Sequence, residues 1–140
     1  MKKLNNEIWQ KWAIIKNKNI SYDIKNIIYG KYGLVIELYG VDDFVAQDIS
    51  IKFGYPIAYR LIDHDYNEVK YQKLIQNGDF HCEWHSYIIK NSQWVDQLTQ
   101  EGNIVIENKK KYVHYAITEE DYVIEVVSTK KPEIEIIKNS

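Results

Sequence analysis

Ile49-Ser50-Ile51-Lys52-Phe53, followed by Gly54-Tyr55-Pro56, is the stretch that decides the fold. Its apolar residues recur at every second position, which puts Ile49, Ile51 and Phe53 on one face of an extended strand. A helix would scatter the three around its axis. Proline has no N–H to give a sheet ladder, so Gly54-Tyr55-Pro56 marks a break or a bulge. The chain then resumes as a second apolar run, Ile57 to Ile62.

Similar patterns extend on both sides. Upstream, Leu34, Ile36 and Leu38 share one face of a strand running to Tyr39. Gly30-Lys31-Tyr32-Gly33 reads as a hairpin connection to a strand over Ile24 to Tyr29, because glycine adopts positive φ at little cost. Downstream, Asp63-His64-Asp65 ends the Ile57 run, Asn67 to Gln76 reads as a short helix, and Asn77-Gly78-Asp79 is a turn. Phe80 to Lys90 is a further strand. Ser92 is placed to cap a helix carrying Trp94, Val95 and Leu98, with Asp96 in its first turn and Gly102 at its end. Tyr112 to Ile117 and Tyr122 to Val127 predict a hairpin. Glu133-Ile134-Glu135-Ile136 alternates after Pro132. At the N-terminus, Leu4, Ile8, Trp12 and Ile15 recur at helical spacing, and Trp9 widens the stripe.

These elements predict one α+β domain over residues 1–140, built on a mainly antiparallel sheet of about seven strands. An N-terminal helix and one or two further short helices complete it. Hairpin-length links and the lack of βαβ crossovers argue against a parallel sheet. The expected buried face holds Ile49, Ile51, Phe53, Tyr59, Trp84 and Val126.

Composition narrows the function classes. The formal charge of −2 gives no broad basic field for nucleic acid. A single cysteine, Cys82, forbids an intrachain disulfide. The N-terminal residues are too polar for a signal peptide, and no apolar run approaches a membrane span. A cytoplasmic protein without membrane contact or cofactor is expected.

Candidate chemistry is sparse. His81, Glu83 and His85 would share one strand face and could approach a metal, but four-ligand spacing is missing, so no metal site is assigned. Cys82 could act as a nucleophile with His64 or His114 as base, yet free cysteine is usually a packed core residue. Asp63-His64-Asp65 has acid–base groups but reads more simply as a solvated turn. Lys109-Lys110-Lys111 is too short a basic run for a nucleic-acid face. No catalytic residue is assigned. The binding candidates are acidic: Asp42 and Asp43 in one predicted loop, and Glu119, Glu120 and Asp121 in another. Such loops would complement a basic partner and speed its association.

Three segments resemble a family of small bacterial proteins akin to polymorphic-toxin and contact-dependent-inhibition immunity proteins. They are Ile49 to Arg60, Trp84 to Val95, and Val113 to Ile117 through Ile124 to Val127 with Lys131-Pro132 behind. The likeness spans residues 24–137. It implies a cytoplasmic immunity protein that neutralises a cognate toxin by stoichiometric binding. The alternative is a small hydrolase or metal-dependent enzyme using His81, His85 and Asp63. An exposed sheet edge would leave room for a homodimer.

Overall fold

The computed structural model describes residues 7–14, 22–40, 47–63, 86–119 and 121–138. Nine strands run through them: β1 (Ile8–Lys11), β2 (Tyr22–Gly30), β3 (Gly33–Gly40), β4 (Gln47–Gly54), β5 (Ala58–Asp63), β6 (Ser86–Lys90), β7 (Val113–Thr118), β8 (Tyr122–Ser128) and β9 (Glu133–Lys138). One α-helix, α1 (Gln93–Gln100), and a 3-10 segment over Ile106–Lys111 lie between β6 and β7. The strands form a five-stranded sheet of order β1-β6-β7-β8-β5 and a four-stranded sheet of order β2-β3-β4-β9. Every pairing among them is antiparallel.

Alternation builds the core. Leu34, Ile36 and Leu38 of β3 and Ile49, Ile51 and Phe53 of β4 are all buried. They join Tyr115, Ile117, Ile124 and Val126 from β7 and β8 in one apolar cluster. A cluster drawn from the facing sides of two sheets makes the fold a β-sandwich. The other face of the five-stranded sheet is also covered in part. Val95 and Leu98 of α1, with Ile104, pack against Val127. No helix among the described residues is long and apolar enough to cross a membrane.

The α+β expectation is therefore overturned: two sheets enclose the core, and helix is a minor component. The predicted N-terminal helix is the clearest correction. Ile8–Lys11 is strand β1, paired with β6 in the register Trp9↔Ile89 and Lys11↔Tyr87. Trp9 is buried edge-on against Tyr87 with ring centroids 5.4 Å apart, whereas Ile8 is exposed. Pairing with a strand far along the chain overrides a local helical spacing. Lys109-Lys110-Lys111 ends the 3-10 segment, one residue before β7 begins. Tyr59 lies opposite Val126 on the core-facing side of its sheet, as alternation requires. It is nevertheless exposed, because β5 is the edge strand and the sandwich is open there. Trp84 and the proposed helix over Asn67 to Gln76 lie outside the described residues.

Local signals hold where short-range chemistry decides. Ser92 Oγ accepts a hydrogen bond from Val95 N–H at 3.1 Å and caps α1. The helix ends in a Schellman motif: Gly102 N–H donates to Thr99 O and Asn103 N–H to Leu98 O. Gly30 and Gly33 close the β2–β3 hairpin. Gly33 has φ +82°, and a Cβ there would collide with the backbone of Gly54 on β4. At Gly30 a Cβ would meet nothing within 4 Å.

Gly33→Ala is accordingly expected to destabilise the fold by about 2 kcal/mol or more, since both φ and space oppose it. Gly30→Ala should stay within about 0.5 kcal/mol of the parent. Urea midpoints followed by tryptophan fluorescence compare the two. Equal midpoints would contradict the close approach of β3 and β4.

Candidate functional site

Strand β8 carries an unusual burial pattern. Ile124 and Val126 point into the sandwich, so Val123, Glu125 and Val127 point to the opposite face, where α1 packs. That alternation buries the Glu125 carboxylate to 1% exposure. An unpaired carboxylate there would cost several kcal/mol, so the neighbouring strands must supply its partners. Arg60 on β5 stands directly opposite Glu125 in the sheet. His114 on β7 is the diagonal neighbour, because Ala116 is opposite Glu125 and His114 is opposite Val127.

The four side chains form one hydrogen-bonded chain. Arg60 Nε donates to Glu125 Oε2 at 3.1 Å and Nη2 to Oε1 at 3.2 Å, a two-pronged ion pair. His114 Nε2 lies 2.6 Å from Glu125 Oε1, and His114 Nδ1 lies 2.7 Å from Ser92 Oγ. A carboxylate only accepts, so His114 carries a hydrogen on Nε2. Ser92 Oγ accepts from Val95 N–H and is also bonded to His114 Nδ1. Burial alone would push the Glu125 carboxyl up. Hydrogen bonding and charge from His114, then from Arg60, outweigh burial and bring it down from 4.5 to about 2. Trp94 closes the group, with the Arg60 guanidinium 4.1 Å above its ring and the His114 ring edge-on at 5.3 Å. Glu7 adds a further tie between β1 and the helix: it accepts from Trp9 Nε1 and from the Gln93 N–H at the start of α1.

The Ser92–His114–Glu125 order matches that of hydrolytic triads. Its environment differs. Ser92 and His114 are buried, and the serine oxygen already caps α1. The chain joins α1 to β7, β8 and β5 as an internal strut. Beside it, a cavity of about 520 Å³ opens between β6, α1, the 3-10 segment and β7.

A second feature lies on the surface. β2 and β5 are edge strands of different sheets, and their tyrosines meet. The rings of Tyr29 and Tyr59 stack at 5.5 Å, and Tyr55 meets Tyr29 edge-on at 6.3 Å. The Tyr55 hydroxyl donates to Lys31 O. Tyr32 at the hairpin tip is 79% exposed, and Leu61 farther along β5 is 51% exposed.

The acidic binding candidates part company. Asp121 is exposed in the β7–β8 turn. Glu119, in the same turn, faces inward and accepts the Ile24 N–H of β2, linking one sheet to the other. Asp42, Asp43 and Glu120 lie outside the described residues, as do His64, His81, Cys82 and His85. Asp63 sits exposed at the end of β5. Sequence reasoning missed the Arg60–Glu125–His114–Ser92 chain, although a glutamate inside Val123-Ile124-Glu125-Val126-Val127 is itself a signal. Comparison with family models, with curated proteins and with solved structures gives no match.

Because the Glu125 carboxyl is lowered on folding, the stability it supplies is fully present above pH 4.5. That stability is lost as the pH falls from 4.5 towards 2. Glu125→Gln should cost about 3 kcal/mol at pH 7, the low end for a broken buried pair, since Arg60 keeps some water. It should also flatten the acid limb of a stability–pH profile between those values. Ser92→Ala should exceed the cap loss of about 1 kcal/mol, because it also leaves buried His114 Nδ1 unpaired. Chemical unfolding at a series of pH values checks both. An unchanged acid limb in Glu125→Gln would refute the strut.

Proposed function

We propose that this chain is a cytoplasmic binding protein of the immunity type, which neutralises a cognate bacterial toxin by stoichiometric binding without turnover. The observation that carries the reading is the cluster of Tyr29, Tyr55 and Tyr59, flanked by exposed Tyr32 at the β2–β3 hairpin tip and by Leu61 farther along β5. Tyrosine presents a large amphipathic surface with few rotatable bonds, so it loses little entropy on binding and is enriched among interface hot spots. Tyr29 and Tyr59 stand on edge strands of the two sheets, so their backbone is set before a partner arrives. Exposed Asp121, in the turn beyond the Asp63 end of β5, can steer a basic partner at longer range.

Two further points favour binding over catalysis. Ser92 spends on the helix cap the same oxygen that a nucleophile would bring to a substrate. The three segments that resemble immunity proteins also contain Arg60, Ser92, His114 and Glu125.

The test is to co-express each neighbouring reading frame with this chain, score growth, and measure binding of any toxin so found. Tyr32→Ala and Leu61→Asp should each weaken the complex about tenfold or more with little change in melting temperature. Asp121→Lys should slow association, and the effect should shrink at high salt. If no neighbour is toxic alone and rescued by this chain, the immunity reading falls.

A further inference from the structure

The cavity beside the strut carries a charge pattern of its own. Lys90 from the end of β6 and Lys109 and Lys110 from the 3-10 segment all line it. Asp96 on α1 pairs with Lys109. Among the described residues no ion pair engages Lys90 or Lys110, so the lining carries two positive charges beyond the Asp96–Lys109 pair. Tyr112 lines it from the α1 side of the sheet, and Ile88 and Val113 reach it from strands whose apolar side chains there pack against the sandwich core. The volume of about 520 Å³ is far larger than one inorganic anion needs and lies in the range of small-ligand sites.

We propose that this cavity binds a small phosphorylated molecule with a flat apolar portion, of the size of a nucleoside diphosphate. Lys90 and Lys110 neutralise the phosphate groups as mobile point charges. Tyr112 covers the ring. His114 and Ser92 form a polar part of the wall, but their mutual bond and those to Glu125 and Val95 N–H are already made. The site therefore holds its ligand without reacting with it. The short basic run Lys109-Lys110-Lys111 acquires a role through this cavity, where two of its members face the same space as Lys90. The site goes beyond the toxin-binding reading and does not depend on it.

The full chain is titrated with ADP, with pyrophosphate and with adenosine, following melting temperature and heat of binding. ADP should raise the melting temperature saturably, pyrophosphate should bind at least about tenfold more weakly, and adenosine should have no effect. The Lys90→Glu/Lys110→Glu variant should keep the unliganded melting temperature and lose ADP affinity about tenfold or more, because both lysines are exposed. Lack of a saturable response to ADP would overturn the proposal, as would a response that survives the double charge reversal. Pyrophosphate binding as tightly as ADP would overturn the role of Tyr112. A short single-stranded oligonucleotide binding more tightly than ADP would assign the lysines to nucleic acid instead.

Discussion

A buried carboxylate organises one face of this sandwich. Glu125 sits in the middle of an apolar strand, under a helix, where its charge is costly by itself. The cost is offset only if Arg60, His114 and Ser92 come to fixed places at once. Each belongs to a different element: Arg60 to β5, Ser92 to the start of α1, and His114 to β7. Satisfying one carboxylate therefore fixes the order of three adjacent strands and seats a helix on them. A hydrophobic residue at position 125 could pack as well, but it would not select these neighbours by direction. The polar chain supplies registration, and the apolar clusters around it supply most of the burial energy.

What could be read from the sequence follows the range of the forces involved. The faces of β3 and β4, the β2–β3 hairpin and both ends of α1 were legible, because strand alternation, glycine φ and capping chemistry are local. The first segment was not. Leu4, Ile8, Trp12 and Ile15 do match a helical stripe, but Trp9 gains more by packing on Tyr87 in a β1–β6 pair. Tyr59 was assigned to the correct face and the wrong environment, since alternation gives a residue's side of a sheet and not the sheet's edge. The strut was invisible as a set, because Arg60, Ser92, His114 and Glu125 come together only through strand order. Glu125 alone gave a readable hint, as a charge set among four β-branched residues.

The acidic-loop reading changes for a related reason. Loop position says that a carboxylate can be solvated, not that it is. Glu119 turns inward to bond the edge strand of the other sheet, and Asp121, two residues on, stays out. The turn thus divides its charges between holding the sandwich closed and facing solvent. Tyrosines form a separate surface feature at the open edge, where β2 and β5 bring rings from both sheets together.

Edge strands are where sandwiches invite unwanted pairing, and the two sheets treat their edges differently. On β9, Glu135 is bonded to Lys52 of the adjacent strand and Glu133 adds a second charge, which discourages a further strand. On β5 the exposed residues in succession are Tyr59, Leu61 and Asp63, on the sandwich-facing side left open at the edge, two of them large and apolar. Arg60, between Tyr59 and Leu61, is held by Glu125 on the opposite side of the strand. The strut thereby clamps the backbone that displays the exposed side chains. A surface that must accept a partner needs exposed apolar groups and a backbone that does not yield to casual pairing. For the proposed binding role, the Arg60–Glu125 ion pair between Tyr59 and Leu61 would meet the second requirement and the tyrosines the first.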